Sequence, residues 1–237
     1  MAIIHGKGSS VLVAQYDLSA YLNSYEQQRT AAPADVTCFG ASFDSSIIGL
    51  MAGTVSLAGF FDGTTGAIDD VLNTALGASS PKVVSLIPAG SGGTIGDRAS
   101  LFTANETTYG LSSSVSEAVA ITAEFKPTGS IGGGVLLAPL TARTTTSNLT
   151  SVDNAAASTG GYRANIHVTA FSGTSVVIKV QHSTDNSSWS DLVTFTTISG
   201  VTSESSAATG TVNRYVRAIV ASGTFTSVTA CVTFARL

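Results

Sequence analysis

The chain has 237 residues and a formal net charge of −4, a size that fits two domains of roughly 100 to 150 residues better than one. Only 11% of residues are charged, against about 25% in an average soluble protein, while Ser and Thr number 64; the surface is polar but uncharged. These figures argue against a nucleic-acid binder that neutralises phosphates with a basic face, and the longest apolar stretch, 131–140, carries three glycines and is too short for a span of about 20 residues. The segment 1–7 lacks the apolar centre of a secretory signal, which predicts a protein made and assembled in the cytosol.

Period-two alternation and turn chemistry dominate in chain order. Residues 11–18 read as an opening strand. Residues 53–61 read as another, with Val55, Leu57 and Gly59 on one face and Thr54, Ser56 and Ala58 on the other. Ile68, Val71, Leu72, Ala75 and Leu76 then fall at helical spacing. Thr64 or Thr65 is placed to cap that helix, Asp69 and Asp70 complement its dipole, and Gly77 stands where a left-handed residue ends it, so one short helix is predicted near 65–76. Residues 81–88 form a further strand candidate, the glycines at 90–96 and at 132–134 read as loops, and 115–125 alternates over a longer strand.

The run 141–148 is small and polar, the composition of an exposed connection. It divides the chain into a β domain at 1–145 and a smaller C-terminal β-sandwich at 150–237, the latter with strands at 164–171, 175–182, 191–197, 214–221 and 224–235. The predicted fold is therefore all-β with one short helix. Residues 1–145 hold six basic and eleven acidic residues, and 146–237 hold five and four, so the acidic excess lies in the first part.

Residues able to carry chemistry are scattered. No nucleophile elbow, phosphate loop, dinucleotide fingerprint or zinc spacing occurs, so neither an enzyme nor a metal or cofactor site is expected. Cys38 and Cys231 read as buried thiols. His5, His167 and His182 lack partners at ligand spacing; with 164–171 and 175–182 taken as a hairpin, His167 falls opposite Val180 and His182 opposite Asn165, so the two do not converge. Asp69 and Asp70 point about 100° apart on a helix and cannot act as a facing acid pair. Trp189 reads as a packing residue ahead of a sugar platform, and the triplets at Asn105, Asn148 and Asn186 are those expected by chance among so many hydroxyl residues.

The N-terminal motifs His5-Gly-Lys7, Val11-Leu-Val13, Tyr16 to Asn23, Thr37-Cys-Phe-Gly40, Gly49-Leu50, Gly53 to Leu57 and Gly59-Phe-Phe-Asp-Gly63 together resemble the major tail tube proteins of long-tailed bacteriophages over about residues 1–140. Ile48 departs from the pattern, where a proline is expected. Residues 150–237 more weakly resemble the accessory sandwich some tail proteins carry outside the tube. The resemblance implies a virion protein made in the host cytoplasm, with no membrane role. It also implies subunit rings, six copies favoured and three the alternative, each copy giving long strands to a continuous barrel with the helix outside. Rings stack, DNA passes through the lumen without specific binding, and tape measure and tail terminator proteins are the other partners. An acidic lumen would let DNA slide. The segment 30–48 is the candidate inter-ring loop, with Arg29, Asp35 and Asp44 as its charged residues; an ordinary surface loop or two short strands is the plain alternative. The rival reading is a capsid or tail decoration or fibre protein whose C-terminal sandwich binds host-surface glycans. A secreted carbohydrate-binding module or glycan hydrolase fits less well, lacking a signal and a facing carboxylate pair.

Overall fold

The apolar/hydroxyl alternation resolves into fourteen strands, one α-helix and a 3-10 turn at Gly6–Gly8 in a computed structural model that describes residues 6–88 and 93–237. His5 and the glycines at 90–92 lie outside the described residues. In chain order the strands are β1 (Ser10–Val13), β2 (Tyr16–Asp17), β3 (Leu22–Asp35) and β4 (Ser46–Phe60), then helix α1 (Ile68–Ala75) and β5 (Lys82–Ile87). They continue as β6 (Arg98–Ser112), β7 (Ala120–Pro127), β8 (Gly132–Arg143), β9 (Ser147–Asn148) and β10 (Val152–Asp153). The last four are β11 (Tyr162–Ser183), β12 (Ser190–Thr194), β13 (Thr202–Ala208) and β14 (Tyr215–Arg236).

The chain forms two compact units, and neither is a single stretch of sequence. One comprises residues 1–20, 82–103 and 131–237; the other comprises 21–81 and 104–130. The polar run at 141–148, expected as a linker, lies within the first unit, because β8 and β9 both hydrogen-bond to β14. Composition marked an exposed segment there, but long-range pairing carries the chain through it.

The first unit is built on β11 and β14, two antiparallel strands of 22 residues each. This corrects the hairpin expected of 164–171 with 175–182 and the separate strands expected at 214–221 and 224–235: each pair of segments is one continuous strand. Gly173 and Gly223 are the reason. Both sit at positive φ, +153° and +146°, amid register shifts, so what reads as a turn is a bulge. A Cβ on Gly173 would lie 2.4 Å from the Cα of Phe225, and one on Gly223 would lie 2.3 Å from the carbonyl oxygen of Ser175. The ribbon bends at these glycines, and its two halves pack on each other. Ile166 and Val168 share one core with Ile178 and Val180 of the same strand, joined by Ala218, Val220, Ala230, Val232 and Phe195. Both layers of the sandwich thus come from one bent strand pair. From β14 the sheet path continues through β8 and the start of β6 to β5, β1 and β2. Arg143 fastens the β8 edge by donating to the carbonyls of Ala230 (2.9 Å), Thr141 (3.0 Å) and Pro139 (2.9 Å).

The second unit is a four-stranded antiparallel sheet in the order β3, β4, β7, β6, using residues 104–112 of β6, together with α1. Val55, Leu57, Ile121, Ala123 and Phe125 line its buried face. The helix buries Ile68, Val71, Leu72 and Ala75 as the periodicity predicts, whereas Leu76, expected on the same face, is the C-cap and is exposed. Its N-cap is Ala67 and neither Thr64 nor Thr65; the first turn is instead held by Asp70, which accepts from the Gly66 amide at 2.8 Å. Gly77 takes the left-handed conformation, φ +70°. Residues 115–119, expected as strand, form the connection ahead of β7. The opening strand is likewise split, by a turn at Ala14 with φ +51°.

Gly173→Ala is expected to destabilise the protein by about 1–3 kcal/mol, through strain at positive φ and the clash with Phe225. Gly200→Ala, where nothing lies within 4 Å, is expected to stay within about 0.5 kcal/mol. Urea unfolding of both variants checks the contrast.

Candidate self-assembly surface

The second unit carries most of the acidic charge. It holds nine carboxylates against two basic residues, Arg29 and Lys126, whereas the first unit holds six against nine. The sheet face opposite the buried one is open. Ser24, Glu26 and Gln28 of β3 stand beside Thr54, Ser56 and Ala58 of β4, then Thr122, Glu124 and Lys126 of β7, and Asn105, Thr108 and Gly110 of β6. Alternation dictates this arrangement, since every second residue of each strand is committed to the core. A shallow hollow of about 580 Å³ lies on it, lined in part by Ser24, Glu26, Ser56, Thr108, Thr122 and Glu124.

Both edges of this sheet are open. Among the described residues no strand pairs with the outer side of β3, and the outer side of β6 from Thr107 onward likewise has no strand partner. Pro33 sits in the upper part of β3 beside a register shift, where it offers no N–H to a neighbour. The edge available for further pairing is thus the stretch of β3 before Pro33.

Beyond the sheet, β3 and β4 continue as a two-stranded arm. Val55 is the last β4 residue opposite β7, and Ser46 to Thr54 have β3 as their strand partner. The segment 30–48 is therefore a β-hairpin, and every residue in it is exposed. Asp35 accepts from the Thr37 amide at 2.8 Å and from its hydroxyl, bonds that hold its carboxyl below the usual range and close the tip. Asp44 lies in the tip itself, exposed. Arg29 pairs with Gly53 at the arm's base, about 20 Å along the strand from Asp35. The three residues thus lie along one arm but do not converge. Sequence reasoning missed what dominates the arm: Val36, Phe39, Phe43, Ile47, Ile48, Leu50 and Met51 are all solvent-exposed.

No protein-family profile matches the chain, and no curated protein matches it by sequence. Among solved structures, a chain of the native gene transfer agent virion is similar at 16% identity, covering 55% of this chain and 98% of that chain, with a TM-score of 0.44. A chain of the tail of the empty gene transfer agent particle, refined with C6 symmetry, is similar at 14% identity over 52% of this chain and 94% of that one, TM-score 0.41. The SPP1 Dit protein, presented as a paradigm of the hub adsorption apparatus in phages that infect Gram-positive bacteria, is similar at 14% identity over 95% of this chain and 97% of that one, TM-score 0.37.

The remaining chemistry-bearing residues have structural partners. His167 is fully buried. Its Nδ1 faces the Ala14 carbonyl at 2.6 Å, which can only accept, so Nδ1 carries the proton and Nε2 accepts from the Ser85 hydroxyl at 2.8 Å. Ser85 in turn accepts from Thr233 at 2.9 Å. A Ser–His bond of this length is the geometry of an activated nucleophile, yet Ser85 has no exposed surface for a substrate to reach. Asn165 donates to the Val84 carbonyl at 3.0 Å beside this chain. His182 accepts from the Asn213 amide at 3.2 Å, fifteen residues along the same strand from His167. The ring of Trp189 is covered by the Arg217 guanidinium at 4.1 Å, and Arg217 also donates to Gln181 at 2.8 Å, so a packing role accounts for it. Asp69 accepts from the Tyr109 hydroxyl, tying α1 to β6. Cys231 is buried and its thiol is pushed up to about 12 by desolvation. Cys38 departs from expectation: it is exposed in the arm tip, because the tip belongs to no core.

Burial lowers His167 to about 4. The folded protein keeps the ring neutral while an unfolded chain protonates near 6.5, so this group's contribution is complete above 6.5 and is lost as pH falls toward 4, by at most about 3 kcal/mol. His182, also lowered by burial and by Arg236, acts in the same sense. The urea midpoint should fall between pH 7 and 4, and His167→Gln should flatten that slope; an unchanged slope would assign the dependence to other groups.

Proposed function

We propose that the chain is a structural phage tail protein that closes into rings through the open edges of β3 and β6 and stacks into a tail tube, the conduit for DNA. The observation that carries this reading is the four-stranded sheet of the second unit, with two open edges, one polar face and a projecting arm. Unpaired edges are a hazard in a lone subunit, and closure of a barrel removes them. The strand count suits rotation: with four strands alternating in direction, β6 of one copy meets β3 of the next antiparallel. Six copies give a barrel of 24 strands. At roughly 4.8 Å per strand and a tilt near 40° its diameter is about 50 Å, or about 40 Å inside the side chains. Three copies would leave about 15 Å, too narrow for a duplex about 20 Å wide, so six are favoured.

The polar face then lines the lumen. It offers hydroxyl groups, Glu26 and Glu124 against Lys126, a surface that repels phosphates and gives them few cations to hold. The resemblance at the N-terminal motifs supports the same reading and extends it to a tape measure and a terminator as partners within the virion.

Negative-stain electron microscopy with light scattering, over a range of concentrations, should show hollow rings or tubes with six-fold symmetry. A strictly monomeric protein under all conditions would count against the reading. Cys38 is the reporter: a thiol reagent should label one cysteine in the free subunit and none in the tube, with Cys231 reacting only after unfolding. Tubes of Glu26→Lys/Glu124→Lys protein should retain short duplex DNA at low salt where wild-type tubes release it, measured by co-sedimentation.

A further inference from the structure

The bonds of His167 join three elements of the first unit. Strand β11 supplies the ring, β5 supplies the Ser85 hydroxyl at Nε2, and the turn between β1 and β2 supplies the Ala14 carbonyl at Nδ1. Ser85, Cys231 and Thr233 around it are buried, whereas Ala14, Gln15 and Tyr16 are half-buried and Asp17 is exposed. Solvent therefore stands on the far side of residues 14–17 from the ring. That segment is also the weakest part of the enclosure. Strand β2 has two residues, its ladder with β1 is Leu12 opposite Asp17 and Val13 opposite Tyr16, and Ala14 takes a left-handed φ of +51° without being glycine. The flanks are fixed: Val11, Leu12, Val13 and Leu18 are buried, and the Leu18 amide donates to the Val11 carbonyl at 2.9 Å.

We infer that residues 14–17 form an acid-operated lid: protonation of His167 lifts them from the ring while the strands that flank the lid stay in place. The device lies within one subunit and does not rest on the tail-tube reading. The neutral ring uses one nitrogen as donor and the other as acceptor. A protonated ring donates on both sides, so the Ser85 hydroxyl has to turn and hand its own proton to Thr233. The bonds can rearrange in this way, but the charge stays in a site closed to water. Few neighbouring charges offset it. Asp17 on β2 favours the imidazolium, but it is exposed, where the high dielectric of water weakens its pull. Cys231, opposite His167 on β14, is neutral because its thiol is pushed up to about 12, and Arg143 acts on that thiol. Lys82 of β5 and Glu204 of β13 fall by alternation on the faces away from Ser85 and Ser203. Lifting the lid brings water to the ring and breaks the Ala14 carbonyl bond, the bond from the Ala14 amide to the Val83 carbonyl at 2.8 Å and a two-residue ladder. Opening the sandwich would instead break the ladder between two strands of 22 residues, so the lid yields first. An imidazole open to water protonates near 6.5 and the closed one near 4. The open fraction is therefore steady above 6.5 and grows as pH falls, by about 100-fold between pH 7 and 4.

Hydrogen exchange of the full chain, read by mass spectrometry, tests this by comparing residues 13–18 with β11 and β14 after correction for the intrinsic rate at each pH. Exchange at 13–18 should speed up by about 100-fold from pH 7 to 4. It should also be independent of urea below the unfolding transition, because a local opening exposes little surface. Strands β11 and β14 should exchange far more slowly and with the urea slope of global unfolding, followed by the fluorescence of Trp189, the single tryptophan. His167→Gln, checked for folding by circular dichroism, should remove the acceleration at 13–18. Equal urea slopes at 13–18 and in β11 would mean that the ring meets water only when the unit unfolds, and would overturn the inference. Absence of acceleration in the wild type would overturn it as well, and so would an acceleration that persists in His167→Gln. The urea slopes and the wild-type acceleration decide the matter whether or not the variant folds.

Discussion

A β-strand satisfies its backbone only when both of its edges find partners, and this constraint shapes the two units in opposite ways. In the first unit β11 and β14 are flanked on both sides: β11 by β12 and β13 as well as β14, and β14 by β8, β9 and β10. The edges of this unit fall to shorter strands, β12, β13 and β2. In the second unit the sheet stops at β3 and β6 with edges unmet, and only Pro33 and the bulge at Thr107 interrupt them. Such a sheet leaves main-chain groups at both edges open to a further strand.

The charge distribution follows the same division. Carboxylates concentrate in the unit with open edges, while the sandwich carries a basic excess. Like charge on every copy opposes the attraction between the exposed Phe, Ile, Leu and Met side chains of the arm.

Much of this was legible in the sequence where the signal was local. The helix was recoverable because Ile68, Val71, Leu72 and Ala75 repeat at helical spacing, and β4 because Val55, Leu57 and Gly59 alternate with polar residues. The bent ribbon was not. Ser172-Gly-Thr and Ala221-Ser-Gly have the composition of turns, and only pairing between residues some 50 positions apart reveals that each glycine bends a strand that continues. Likewise the interleaved units cannot be read from composition, since β5, the start of β6 and β8 join a core made mostly of later residues. Arg29, Asp35 and Asp44 stand out in the sequence by charge alone; the apolar character of the arm was overlooked because Val36, Phe39 and Phe43 sit singly among polar and small residues and Ile47-Ile48 and Leu50-Met51 read as ordinary strand. Cys38 was misread for the same reason, a hydrophobic residue being taken to imply a core.

The bent ribbon of β11 and β14 also has a mechanical meaning. Its antiparallel ladder runs from Tyr162 opposite Arg236 to Ser183 opposite Tyr215, and the final residue is tied back by the Leu237 amide to the Gly161 carbonyl at 3.0 Å. A force pulling the start of β11 away from the end of β14 would open that ladder one pair at a time, like a zipper. A force along the strands would have to break many bonds at once. The sandwich is therefore stiff in one direction and yielding in another, and a tether fixed to it would hold or release according to the direction of pull.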